Sequence, residues 1–202
     1  MANWDANPSP LFLNSRKKNF VVFLTDDQPA DTLQYMPILQ EKLAARGVTF
    51  QSAIATNPEC CPFRASILSG GYQSHNTGVL RNTPLNGQRA NFDESNSMAV
   101  ALQNSGYDTC FVGRYMHGYT PGAVPLGWNR WVANSYYAYD SYNFHRNVTF
   151  YDVISTTIRD VSQYVTDFHS DQTIECIEQS DSDPFFVWVG LYAPHSPYFP
   201  AP

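Results

Sequence analysis

Cys60 and Arg64 stand four residues apart in the run from Cys60 to Gly71, Cys-Cys-Pro-Phe-Arg-Ala-Ser-Ile-Leu-Ser-Gly-Gly. That spacing puts a thiol and a guanidinium on nearly the same side of a helix. Pro62 suits a first helical turn, Ala65 to Leu68 can carry the helix on, and Gly70-Gly71 can end it. Cys60 then sits at the helix mouth, where free N–H groups and the dipole favour an anion, so the run reads as an anion site containing a nucleophile. The competing reading of Cys60 and Cys61 is a pair of small buried residues, or part of a disulfide set with Cys110 and Cys176.

A second group with chemical potential is Asp26-Asp27, which follows the apolar run Asn19 to Leu24. A continuous run of that length suits a strand covered on both faces, and open α/β sheets bind ligands at the C-terminal ends of such strands. Paired carboxylates supply the hard oxygen ligands that Ca2+ or Mg2+ prefers. Spacing alone equally permits a polar turn in which Asp27 caps the next helix.

The elements that must hold these groups follow from the pattern. Met36 to Arg46 reads as an amphipathic helix with Ile38, Leu39, Leu43 and Ala44 on its apolar face and Gly47 after it, and Val48 to Thr56 as a strand leading to Cys60. Leu80 to Asn96 is polar and irregular, a loop expected over the pocket mouth, and Ser97 is placed to cap a helix through Leu102 that ends at Gly106. Tyr107 to Val112 and Phe185 to Leu191 are strands of the buried type, Val148 to Val165 suits edge strands or a hairpin, and a helix is expected near Ser170 to Gln179. Strands alternating with helices predict an α/β fold, with an irregular segment over residues 1–18 preceding it.

Composition bounds the function. The 202 residues are 43% apolar and 15% aromatic, the profile of a globular protein with one good core, and no run reaches the length of a membrane span. A net charge of −6 with 12 lysines and arginines gives no electrostatic footprint for nucleic acid, since Arg16-Lys17-Lys18 is the sole basic cluster. No export signal is visible near the start, and Asn147-Val148-Thr149 is a glycosylation acceptor sequence.

Cys60-x-Pro62-x-Arg64 followed by Ala65-Ser66-x-Leu68-Ser69-Gly70 resembles the signature of the sulfatase family, in which the first cysteine is oxidised to formylglycine. The family usually has Ser at the position of Phe63 and Thr at that of Ser69. The resemblance extends to the segments Tyr72 to Val79, Gly113 to Tyr119 and Pro125 to Trp131, closest to the glucosamine-6-sulfatase and arylsulfatase branch. It implies an alkaline-phosphatase-like fold, a mixed and mainly parallel sheet between helices. Residues 19–202 would be the N-terminal part of such a catalytic domain, incomplete on its C-terminal side.

The same resemblance implies a site. Asp26, Asp27 and the modified Cys60 would bind Ca2+, with Mg2+ as the alternative, and Cys60, Arg64, Arg114 and His195 would be catalytic. Arg114 stands where the related segment Gly-Lys-Tyr-Leu-Asn-Gly-Tyr has lysine, His117 where it has asparagine, and His195 lies in Ala193-Pro194-His195-Ser196-Pro197, matching Pro-His-x-Pro. A hydroxyl of hydrated formylglycine would attack the sulfur of a sulfate ester, and the second hydroxyl would expel sulfate as the aldehyde re-forms. His75 can line the site but reads better as a loop residue, and the tyrosines between Ser135 and Phe144 can stack on a sugar. Sulfated carbohydrate or aryl sulfate is the implied substrate, and the secretory pathway, lysosomal or extracellular, the implied location.

Family members complete the metal shell with a later Asp-Asn or Asp-His pair and add a lysine near the sulfate, so a second chain or a C-terminal half is an implied partner. Three functions stay open: a sulfate-ester hydrolase, a phosphoesterase of the same fold, and a truncated or non-catalytic sulfatase-like binding or structural protein.

Overall fold

Phe185 to Gly190 forms the strand on which the sheet is assembled, because its side chains are apolar on both faces. A computed structural model describes residues 17–72, 77–85, 87–119, 123–134, 148–152, 157–161, 163–180, 184–196, 198 and 201, with only the backbone for 148–152 and 157–161. In chain order the elements are β1 (Phe20–Leu24), α1 (Pro37–Lys42), α2 (Cys60–Ser69), α3 (Met98–Asn104), β2 (Asp108–Gly113), β3 (Arg130–Asn134), β4 (Val148–Asp152), β5 (Thr157–Val161), α4 (Val165–Gln179) and β6 (Phe185–Gly190).

The strand order is β1-β6-β2-β3-β4-β5. The first four pair in parallel, and β4 and β5 add antiparallel. This is the mixed, mainly parallel sheet the sequence implies. Insertion of β6 between β1 and β2 brings three C-terminal strand ends side by side, with Leu24 opposite Gly190 and Gly190 opposite Gly113.

Alternation along the strands builds two cores. Phe111, Phe186 and Trp188 face one way, packing with Cys61, Ala65 and Leu68 of α2 and with Trp128 and Trp131. Phe111 and Trp131 stack at 4.1 Å. Cys110, Val112, Val187 and Val189 face the other way, toward Cys176 of α4. A disulfide joins Cys110 to Cys176, while Cys60 and Cys61 are free thiols. Helices thus cover both faces of β6 and β2.

β1 is different. Val22 and Leu24 pack against the first core, but Val21 and Phe23 on the opposite face are exposed. Among the described residues no strand pairs with the outer side of β1.

Several expected elements are altered. Val48 to Thr56 is irregular rather than a strand, and Val48, Phe50 and Ile54 are exposed by 79%, 80% and 88%. A strand needs a neighbour for its backbone groups, and among the described residues this segment has none in the sheet. The helix expected over Met36 to Arg46 is α1 with Pro37 at its first position, followed by a 3-10 turn over Ala44–Arg46. Its apolar residues Ile38 and Leu43 are exposed, so the periodicity meets no packing partner among the described residues. α4 starts at Val165, ahead of the expected Ser170. The hairpin β4–β5 falls within Val148 to Val165, and Ser97 caps α3 by accepting from Val100 N at 3.4 Å. No helix among the described residues is long and apolar enough to cross a membrane.

Candidate functional site

α2 gives the site its axis. Its N-cap residue Glu59 makes no side-chain cap bond. Instead Asn82, distant in sequence, accepts the Cys61 N–H at 2.8 Å, the bond an N-cap side chain ordinarily makes. Gly70 ends the helix in the left-handed region with φ 67°. Cys60 therefore occupies the first helical position and Arg64 follows one turn later, both lining a cleft of about 320 Å3 with Asp26, Asp27, Phe63 and Pro58.

Asp26 is the hub. Its carboxylate is buried at the end of β1, pairs with Arg64 Nη2 at 3.4 Å and also forms an ion pair with Arg114. The Cys60 thiol reaches its other oxygen at 3.5 Å. Arg64 in turn donates to the Arg114 carbonyl at 2.7 Å. A buried carboxylate between two buried guanidiniums satisfies the requirement that interior charges be paired, and it leaves the ensemble cationic. Asp27 follows at φ 55°, a left-handed conformation that aspartate tolerates better than most residues, with its side chain half exposed. His195 Nε2 lies 3.4 Å from Asp27 Oδ2 at the rim.

Burial pushes the Cys60 thiol above its ordinary value, with Arg64 acting in the opposite direction and Asp27 adding to the rise. Cys61, wholly buried, is pushed up to about 11 by desolvation and accepts the His117 N–H at 3.1 Å. His117 is lowered to about 4, first by burial and then by Arg114.

Ligand atoms of Asp26, Asp27 and Cys60 all lie within 4.8 Å of one another. Two carboxylates supply the hard oxygens that Ca2+ or Mg2+ takes, and an oxygen in place of the Cys60 sulfur would extend that donor set. The residues present fit such an ion.

All six residues singled out in the sequence converge, by different routes. Asp26, Asp27, Cys60 and Arg64 line the cleft. Arg114 reaches it through Asp26, and His195 through Asp27. Among its described residues the Leu80 to Asn96 segment contributes none to the cleft lining, so it is not the expected loop over the pocket mouth; Asn82 ties it to the start of α2, and Arg89 N donates to the His117 carbonyl at 2.9 Å. His75, the tyrosines of 135–144 and Asn147 lie outside the described residues.

Four residues of this region lie outside the sequence expectations. Tyr192 places its ring 5.3 Å from the Arg114 guanidinium and its hydroxyl 3.0 Å from His195 Nδ1. Asn82 acts across the chain. Gly190 lets Arg114 and Arg64 pass, since a Cβ there would sit 2.3 Å from the Arg114 carbonyl and 3.0 Å from Arg64 Nη1. Gly113, with φ 101°, makes the same allowance for the Gly190 carbonyl. A glycine closing each of two adjacent buried strands was the one visible hint.

Comparison with known proteins matches this architecture. The chain is 34% identical to the N-acetylglucosamine-6-sulfatases of Capra hircus and Homo sapiens over 93% of its length, covering 36% of each of those proteins. It is 29% identical to an arylsulfatase of Volvox carteri over 90% of its length, covering 29% of that protein. The chain thus spans about a third of the length of these relatives. Among solved structures, a protein in complex with its substrate D-glucosamine-2-N,6-O-disulfate superposes with a TM-score of 0.74 at 23% identity, over 92% of this chain and 36% of that one. The fold is that of the alkaline-phosphatase-like sulfatases. The Sulfatase family profile matches residues 18–202, and the chain belongs to that family.

Proposed function

We propose that residues 19–202 form the N-terminal part of a sulfatase catalytic domain that hydrolyses sulfate esters of a sugar or aryl alcohol, with Cys60 converted to formylglycine. The observation that carries this reading is the meeting of the Cys60 side chain, Asp26 and Arg64 at the start of α2, inside a cleft at the strand ends. An unmodified thiol whose ionisation burial opposes is a poor nucleophile, which favours the modified residue.

In this reading Asp26, Asp27 and residue 60 hold Ca2+, with Mg2+ the alternative. When bound, that ion and the hydrated aldehyde together supply an ionised oxygen nucleophile. The chain's own groups do the rest. Arg64 and Arg114 present N–H donors to sulfuryl oxygens, and the bond from Arg64 to the Arg114 carbonyl together with the pairing of Arg114 to Asp26 fixes the guanidiniums before substrate arrives. His195, held by Tyr192, is placed at the rim to meet the sulfate or the leaving alcohol. The start of α2 adds its dipole to the anion site.

The glucosamine-6-sulfatase relatives support a sulfated amino sugar, and the arylsulfatase relatives an aryl ester. A disulfide between Cys110 and Cys176 and a relative described as extracellular support the secretory pathway, lysosomal or extracellular. The exposed face of β1 favours completion of the site by further polypeptide, in the same chain or a second one.

The test is release of sulfate from an aryl sulfate and from glucosamine 6-sulfate in the presence of Ca2+, beside the matching phosphate esters. Sulfate release abolished by Asp26→Asn supports the reading. Preferential phosphate release replaces it with a phosphoesterase, and no release from a formylglycine-bearing preparation that includes the polypeptide completing the site replaces it with a non-catalytic sulfatase-like protein. That last reading draws support from the Asp26 charge, which two guanidiniums already neutralise in the absence of an ion.

A further inference from the structure

Arg114 is anchored on two sides. One nitrogen pairs with Asp26, and Nη2 lies 2.9 Å from His117 Nε2. A guanidinium has donors only, so Nε2 must accept and the ring proton must sit on Nδ1. The Asn82 backbone beside the ring acts on it in the sense of an accepting carbonyl, which agrees with that tautomer.

Asn82 in turn ties this pair to the nucleophile helix. Its Oδ1 accepts the Cys61 N–H at 2.8 Å, and its own N–H donates to Glu59 Oε2 at 2.8 Å. Its carbonyl takes Gln88 Nε2 at 3.0 Å. The His117 N–H closes the circuit on Cys61 Sγ at 3.1 Å. One loop residue therefore fixes both the N-terminus of α2 and the imidazole behind Arg114.

We propose that His117 is a positioning residue, a neutral imidazole that holds the Arg114 fork toward Asp26 and the cleft, with Asn82 locking it to the Cys60 helix. The proposal rests on the reading of the cleft as a sulfate site and assigns a role to a residue outside the cleft lining. Arginine has a long side chain and a planar donor set, so it binds a tetrahedral oxyanion well only when its plane is fixed. A lysine ammonium, which occupies the related position in the resembling segment, has no plane to fix. Burial and the neighbouring guanidinium both keep His117 uncharged near neutrality, as an acceptor must be.

Two measurements on the full chain test this. Long-range 1H–15N imidazole spectra at pH 7, with His117→Gln used to assign the signal among five histidines, are expected to show the Nδ1–H form. An Nε2–H or doubly protonated ring overturns the proposal, because neither can accept from Arg114. Calorimetric titration with inorganic sulfate gives the consequence. His117→Leu is expected to weaken sulfate about tenfold, the loss of one charge-assisted orientation. His117→Gln, whose amide oxygen can accept the same N–H, should recover most of it. In an Arg114→Leu background, His117→Leu should cost nothing further. A loss of equal size in that background makes His117 merely structural and overturns the proposal, as does no loss in the unmodified background. If the unmodified chain binds no sulfate, the sulfate-site reading fails while the tautomer still decides the Arg114 contact.

Discussion

Replacing Asp26 by Asn removes one negative charge from between two guanidiniums while keeping the shape. The side chains of Asp26, Arg64 and Arg114 are 5%, 3% and 6% exposed, so water cannot take over the lost role. Deleting one partner of a buried ion pair costs about 3–5 kcal/mol. Arg64 keeps the Arg114 carbonyl and Arg114 keeps His117, which argues for the lower end, about 3 kcal/mol. Urea denaturation followed by circular dichroism at pH 7 reads this directly. The two uncompensated cations should also bind anions more tightly, so inorganic sulfate should restore stability by mass action, about 2.7 kcal/mol at a hundred times its Kd. Ca2+, by contrast, should no longer stabilise the Asn variant. A loss below about 1 kcal/mol, or no rescue by sulfate, would refute the view that Asp26 holds two buried guanidiniums in an anion site.

Other perturbations probe separate parts of the account. His169 is fully buried and lowered to about 3 by desolvation, against an ordinary value of 6.5, so the unfolded chain binds the extra proton first. Its contribution is complete above about pH 6.5 and lost as pH falls toward 3, at about 1.4 kcal/mol per pH unit; His169→Gln should flatten that slope in urea titrations at several pH values. Gly190→Ala should lower the melting temperature and weaken sulfate binding together, because its Cβ would displace both the Arg114 carbonyl and Arg64. Cys110→Ala with Cys176→Ala opens a link spanning 66 residues and should cost about 2–4 kcal/mol, seen as a lower urea midpoint. Ser97→Ala removes the bond to Val100 N and should cost about 1 kcal/mol.

What could be read in advance was local. Phe185 to Leu191 declares itself because a strand buried on both faces must be continuously apolar, and Asn19 to Leu24 shares that pattern and forms a strand, though only one of its faces is covered among the described residues. Ser97 declares α3 because a cap is a contact three residues long. Cys60, Pro62 and Arg64 declare the site because their spacing fits one helical turn. The misreadings share a cause: Val48 to Thr56 has strand-like composition, and Ile38, Leu39 and Leu43 have helical period, yet neither segment meets a partner layer among the described residues. Propensity without a neighbour decides little. The contacts that were invisible are of two kinds: Asn82 meets the Cys61 N–H across 21 residues, while Arg114 with His117 and Tyr192 with His195 are three residues apart in the loops after β2 and β6, where no regular periodicity says which side chains meet. Gly190 belongs with them, since its lack of a side chain matters only once Arg64 and Arg114 have arrived.

The central claim is that residue 60 works as an aldehyde hydrate rather than as a thiol. Mass spectrometry of the peptide containing residue 60, from protein made in its natural source, tests it most directly, with hydrazide capture as the chemical check. The account predicts loss of the sulfur, a mass matching formylglycine and reaction with hydrazide at position 60, with Cys61 unchanged. An intact thiol at 60 in all of the material would contradict it and leave a sulfatase fold without the sulfatase nucleophile.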